Sequence, residues 1–209
     1  MSRKVAKPVK KDSPPEQDRS VRVDAQRNIE LLLRAALAVF SKSGVDAPVR
    51  EIAEKAGVGV ATLYRHFPER SDLIKGVVRQ EVDACAQAAS ALVSEHEPGE
   101  ALAAWMQRLV DLIASKRGLA AALHSDNQAY KSLPDYFLSQ LTPALKGLLD
   151  AASAAGAIRP NIDARELLLA GARLATPAGE GDIAQARRMV ALLVDGLRYG
   201  ADVAAKAGR

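Results

Sequence analysis

The sequence predicts an all-α protein of about nine helices: an N-terminal three-helix unit carrying a helix-turn-helix, then a C-terminal helical bundle. Three observations carry this. Apolar residues recur at helical spacing along nearly the whole chain, and the runs rich in Val, Ile and Thr that mark strands are absent. Apolar residues make up 48% of the chain but aromatics only 4%, with alanine supplying much of the difference, so small side chains separate closely packed helices. Its 209 residues suffice for one domain of ordinary size plus a small one, and no internal repeat recurs at a fixed period.

Residues 1–23 stand apart. They hold seven basic side chains (Arg3, Lys4, Lys7, Lys10, Lys11, Arg19, Arg22) and three acidic ones (Asp12, Glu16, Asp18), a net charge of +4 that equals the formal charge of the whole chain. With Pro8, Pro14 and Pro15 and little to bury, this stretch reads as a disordered tail. It is either a basic arm that reaches phosphates or a minor groove, or a solubilising tail. It lacks the apolar core of a signal peptide, and nowhere does the chain hold a run of about 18 apolar residues, the length that spans a bilayer. A single cysteine, Cys85, forms no internal disulfide and fits a reducing compartment. We therefore expect a soluble cytoplasmic protein with no membrane partner.

From Asp24, a residue suited to cap a helix, Ile29, Leu32, Leu33, Ala36, Leu37 and Phe40 form a broad apolar stripe that ends at Gly44. Pro48 suits the start of the next helix, in which Val49, Ile52, Ala53 and Ala56 fall on one face before Gly57 stops it. Val58 is the apolar residue of the turn. The following helix, 59–67, sets Val60, Leu63 and Phe67 on one side and Ala61, Thr62 and Arg65 on the other, with Tyr64 and His66 on the flanks. Two short amphipathic helices joined by a glycine-containing turn make a helix-turn-helix. The second is slim at Gly59 and Ala61 and offers a guanidinium, two hydroxyls and an imidazole to a DNA groove. The plainer alternative is a helical hairpin whose polar residues are merely solvated.

Pro68 forces a break, and a long helix follows over 70–94 through Leu73, Ile74, Val77, Val78 and Val82. Its first-turn amides and Arg70 lie where a phosphate bound to the preceding helix would meet them. Five further helices are expected. One starts after Pro98 and Gly99 and runs to about Lys116 with Leu102, Trp105, Met106, Leu109 and Leu112, and a short one covers 118–124. The next spans 134–155 with Pro143 as a kink, another is capped by Asp163 and reaches Ala175, and the last is capped by Asp182 and runs to about 203. Segments 125–133 and 178–181 read as loops. These assignments divide the chain into the tail 1–23, a DNA-binding domain 24–68 and a ligand-binding and dimerisation domain 69–209.

The last two helices carry narrow stripes: Leu167, Ala170, Gly171 and Leu174 on one, Met189, Leu192, Leu193, Gly196 and Leu197 on the other. Such stripes pack either on neighbours of the same chain or on their copies in a second chain as a four-helix bundle. A helix-turn-helix protein gains from the second arrangement, because two half-sites one turn of DNA apart then bind together. We therefore expect a homodimer on double-stranded operator DNA.

Enzyme chemistry finds no support in the sequence. His66, His96, His124 and Cys85 are scattered, with no pair at metal-ligand spacing. Gly57 and Gly59 lack a third glycine and follow no strand, so they form no dinucleotide loop. Ser125 and Asp126 beside His124 are sequence neighbours, which does not make a triad. No cofactor, metal or catalytic residue is expected.

The run I-A-x-x-A-G-V (Ile52, Ala53, Ala56, Gly57, Val58) and the following T-L-Y-R-H-F (Thr62 to Phe67) make residues 29–73 resemble the DNA-binding domain of the TetR family of bacterial repressors. The ending ARRMVALLVDGLR resembles the SbtR-like subgroup of that family. The resemblance implies three helices for DNA and six for ligand and dimer. It implies phosphate contacts from Tyr64 and His66, base contacts from Thr62 and Arg65, and a phosphate role for Arg70, where the family often has lysine. Arg50, Gly59 and Ala61 complete the set on the DNA side. Gly59 and Glu69 depart from the serines that many members carry there, which puts the starts of both helices in question.

The resemblance also implies an allosteric repressor, released when an unidentified small molecule enters the C-terminal domain and the long helix pivots. Trp105, His124, Asn127, Tyr130, Tyr136 and Phe137 are the candidates for the pocket, since they add shape or a hydrogen bond to an aliphatic interior. The alternative is a helical DNA-binding architectural or interaction protein without an effector. If the basic arm meets phosphate, deleting residues 1–23 weakens DNA binding and flattens the dependence of log affinity on log salt; an unchanged slope identifies a mere tail.

Overall fold

In the computed structural model, residues 16–115, 119, 127–176 and 183–199 are described, and among them every regular element is a helix. Helix α1 (Glu16–Ser43) buries Leu32, Leu33, Ala36, Val39 and Phe40 on one stripe and stops at Gly44, whose φ is +77°. It begins at Glu16, so Asp24 lies inside the helix rather than capping it, and residues 16–23 are helical rather than part of a disordered tail. Nothing between Pro15 and Gly44 breaks a helix, because the interval holds neither proline nor glycine. Residues 1–15 lie outside the described part.

Helices α2 (Val49–Ala56) and α3 (Val60–His66) close the three-helix unit. Ile52, Ala53 and Leu63 are almost fully buried; α2 packs on α1, and α3 packs on α2. At Gly57 the backbone turns left-handed (φ +71°), and the amides of Gly57 and Val58 bond the carbonyls of Glu54 (3.1 Å) and Ala53 (3.0 Å). This double bond at a helix end satisfies carbonyls that would otherwise lack partners and swings the chain into α3. The carbonyl of Gly59 accepts from Thr62 (2.9 Å), so α3 starts on schedule without a serine cap.

Helix α4 (Arg70–Glu95) joins the two halves. Asp72 accepts from the amide of Glu69 (3.3 Å), which anchors the start of α4 despite the acidic residue before it. Along its length Leu73, Ile74, Val77, Val78, Val82, Cys85 and Ala89 are buried. Behind it pack α5 (Pro98–Ser115), α6 (Leu133–Ala154), α7 (Ala164–Ala175) and α8 (Ile183–Arg198). Trp105 on α5 is wholly buried and donates its indole N–H to the Cys85 carbonyl at 2.9 Å. Helix α6 continues through Pro143, and Asp163 caps α7 by accepting from Glu166 at 2.7 Å. One apolar core runs from Leu32 to Leu197, and no polar or charged residue is buried among the described residues.

Eight α-helices are described. The expected short helix at 118–124 falls outside the described residues apart from the buried Leu119, and the expected Asp182 cap lies outside them too. A 3-10 turn, Gln128–Tyr130, occupies part of the segment read as a loop. No helix among the described residues is long and apolar enough to cross a membrane.

A Cβ at Gly57 would meet nothing within 4 Å, so the demand for glycine there is purely conformational. Gly57→Ala therefore costs about 1–2 kcal/mol in denaturant unfolding, and Gly57→Asn costs less, because asparagine tolerates the left-handed region.

Candidate nucleic-acid interface

Helix α3 is held by its buried side and presents the other. Leu63 is 1% exposed, while Ala61, Tyr64 (49% exposed) and Arg65 face outward, and Thr62 and His66 are half-buried beside them. Gly59 is exposed at the start of α3, with open space where a Cβ would stand. Among the described residues, the polar groups of Thr62, Tyr64, Arg65 and His66 make no intramolecular side-chain bond. They are therefore available to a partner at no cost in broken contacts.

Three further cations near this face, Arg50, Lys75 and Arg70, are engaged. Arg50 on α2 is exposed and pairs with Glu54 at 2.9 Å. An exposed pair of this kind is worth about 0–1 kcal/mol and yields readily to a phosphate. Lys75 pairs with Asp72 at 2.9 Å, and this bond is the main reason the Asp72 carboxyl lies below its ordinary range, with burial opposing it. Arg70 is turned inward: its Nη1 donates to the carbonyls of Val45 and Ala47 (2.9 Å for the latter) in the turn before α2.

Among the C-terminal helices, a cavity of about 250 Å³ is lined by Val78 of α4, Ile113 of α5, Tyr130, Leu133, Pro134 and Phe137, and Ala172 of α7. Of the five described residues among the six expected at a pocket, Tyr130 and Phe137 line it. Trp105 is core, with its N–H committed to Cys85. Asn127 is exposed and accepts from Ala129 (2.9 Å) to cap the 3-10 turn. Tyr136 turns to α4, where its hydroxyl donates to Asp83 at 2.6 Å and Arg79 lies 5.1 Å from its ring centre. The bond to Asp83 raises the Tyr136 pKa above its ordinary value; burial raises that of Tyr130 against the nearby charges of Lys75 and Arg70. His124 lies outside the described residues. The missed lining residues, Val78, Ile113, Leu133, Pro134 and Ala172, are apolar positions that periodicity cannot separate from core.

The nine residues expected on a dimer face also divide. Leu167 and Leu197 are about 5% and 4% exposed and belong to the core. Gly171 faces α5, since a Cβ there would lie 2.8 Å from the Met106 Cε and 3.2 Å from a Leu109 methyl. Leu174, Met189, Leu192 and Gly196 point outward, with Ala170 and Leu193 half-buried between. Tyr199, 85% exposed, extends the α8 stripe by one turn and was not expected there.

A short helix with a solvent-facing polar side, rooted by a helix-turn-helix and carried on a helical bundle, defines the class of helix-turn-helix DNA-binding proteins. Residues 32–77 match the family described as bacterial regulatory proteins, tetR family, and residues 97–199 match the transcriptional regulator SbtR-like C-terminal domain. A TetR transcriptional regulator from Streptomyces coelicolor is 39% identical, superposes with a TM-score of 0.69, and is matched over 81% of this chain and 98% of its own. A TetR transcription regulatory protein from Mycobacterium vanbaalenii is 33% identical with a TM-score of 0.64, over 85% of this chain and 99% of its own. Curated HTH-type transcriptional regulators of Staphylococcus aureus are 36% identical over 64 residues, 30% of this chain and 35% of theirs, so that match spans about a third of those proteins. The chain belongs to the TetR family of transcription regulators, and its N-terminal helices are that family's DNA-binding domain.

Arg65 is the exposed donor best able to bridge two acceptors on a guanine edge. Arg65→Ala is expected to cost about 1–3 kcal/mol at the operator and to relax the preference at one base pair, read by binding to a panel of single-base variants. An unchanged sequence preference would remove that role.

Proposed function

We propose that the protein is a ligand-responsive repressor that binds a palindromic operator as a dimer and is released by a small, largely apolar molecule. The observation that carries this reading is the double engagement of α4. A Cβ at Gly76 would meet Leu33 (2.8 Å) of α1 and the ring of Phe67 (3.2 Å) at the end of the reader, and Val78, two residues on, lines the cavity. A ligand that displaces Val78 therefore strains the seat of the DNA-binding unit within the same turn of helix. To release DNA, it must favour the displaced arrangement by a few kcal/mol, and DNA weakens the ligand by the same coupling.

In this reading Thr62 and Arg65 meet base edges, Tyr64, His66 and Arg50 meet phosphates, and Gly59 and Ala61 leave room for the groove wall. The outward stripe of Leu174, Met189, Leu192, Gly196 and Tyr199 pairs with its copy. Exposed leucine, methionine and tyrosine arranged in one row gain most by being covered by an identical row. The site of action is the cytoplasm.

The cavity, at about 250 Å³, is smaller than the roughly 300–1,000 Å³ usual for ligand sites, which favours the second reading: a DNA-binding protein with no effector. Thermal shift against a library of compact apolar molecules separates the two. A compound that raises the melting temperature and also weakens DNA binding supports the repressor; compounds that stabilise without affecting DNA support the second reading.

Selecting bound fragments from the source genome is expected to yield a palindrome with half-sites one turn apart. Leu192→Glu with Met189→Glu is expected to give a monomer in sedimentation and to weaken binding to that palindrome by about a hundredfold or more, through loss of the second half-site. A variant pair that remains dimeric removes this interface.

A further inference from the structure

The α1–α2 turn has a fastening that the sequence does not reveal. Residues 44–48 lie between Gly44, in the left-handed region (φ +77°), and Pro48, the residue preceding α2, and α2 has no side-chain cap at its start. Within the turn the Ala47 amide bonds the Gly44 carbonyl at 3.3 Å, a long bond, and Ala47 itself is buried. The firm contact comes from 23 residues away. Arg70, the first residue of α4, is partly buried and donates from Nη1 to the carbonyls of both Val45 and Ala47. A guanidinium with several donors in one plane can hold two carbonyls of a turn at once. Lysine, with a shorter stem and a compact ammonium, is a poor substitute at such a site.

We propose that Arg70 is a positioning residue for DNA reading: it pins the turn before α2 to the first residue of α4, so the angle of α2 and α3 follows α4. It adds no phosphate contact. The proposal rests on the DNA-reading function above. Two arrangements support it. The other cation on the first turns of α4, Lys75, is paired with Asp72 of the same helix, so both cations there already have partners within the protein. Tyr130, whose ring lines the cavity, lies close enough for the Arg70 and Lys75 charges to act on its hydroxyl. Helix α4, which packs on the 3-10 turn bearing Tyr130, is thus tied through Arg70 to the turn before α2.

The test uses the full-length protein, Arg70→Met and Arg70→Lys, with two duplexes: one enriched by the wild type from a randomised pool, and a scrambled duplex of equal length and composition. A positioning role predicts that both variants bind the enriched duplex about tenfold more weakly, bind the scrambled duplex nearly as the wild type does, and keep the salt slope. A phosphate contact predicts the reverse: Arg70→Lys behaves as the wild type, and Arg70→Met weakens both duplexes alike and lowers the slope by about 0.9 per protomer, about 1.8 for the dimer. That result overturns the proposal. Amide exchange provides a readout independent of DNA. Faster exchange confined to residues 45–56 in both variants supports the clamp, and uniform or unchanged exchange overturns it. A wild type that enriches no duplex refutes the DNA reading, and the exchange pattern then still decides whether Arg70 fastens the turn.

Discussion

The close approach of α4 to α1 is the constraint on which the rest depends. At Gly76 there is no room for a methyl group, because the Leu33 side chain and the Phe67 ring already occupy that space. Phe67 terminates α3, with its amide bonded to the Leu63 carbonyl at 2.8 Å. The reader is therefore seated on α4 directly, through its last aromatic ring. The same helix packs on α5 and α6 over the next several turns, with Trp105 bonded to the Cys85 carbonyl. A rigid helix embedded in two packed units must move both when it moves either, since close-packed interiors transmit displacement rather than absorb it.

This arrangement explains why the molecule needs so little polar machinery inside. No polar or charged residue is buried among the described residues, and apart from the buried Trp105–Cys85 hydrogen bond three specific bonds lie at the edges of packed elements: Asp163 at the start of α7, Asp72 at the start of α4, Tyr136 to Asp83 between α6 and α4. Alanine-rich faces let helices come close, and glycine at 76 and 171 lets them come closer still. Arg187 of α8 pairs with Asp111 of α5, and Gln107 bonds the Arg187 carbonyl at 3.1 Å, so α8 is fastened to the bundle on one side and leaves its opposite row of apolar residues outward.

Much of the DNA-binding half was legible in advance. The bounds of α2, the start of α4, the left-handed Gly57 and the outward set on α3 all follow from local spacing, because short amphipathic helices have one side to bury and turn residues mark their ends. The start of α1 was not legible, since Asp24 is as good a cap in sequence as Asp163; only one of them sits where a helix begins. The direction of Arg70 was also hidden. Its partners are backbone carbonyls, which carry no sequence signature.

The C-terminal half divides along the same line. The sequence by itself determined that α7 and α8 are amphipathic and rich in small residues. It did not determine which strip of each helix meets α5 and which meets solvent. On α7, Leu167 and Gly171 turn inward while Leu174 turns outward; on α8, Val190, Val194 and Leu197 are covered while Met189 and Leu192, and Tyr199 just past its end, are not. The cavity belongs wholly to the tertiary structure, because its walls come from α4, α5, α6, α7 and the 3-10 turn, and no one stretch of chain contains it. Periodicity records which residues avoid water; only the packing of distant elements decides whether they do so against their own chain, around an empty space, or on a surface left for a second copy.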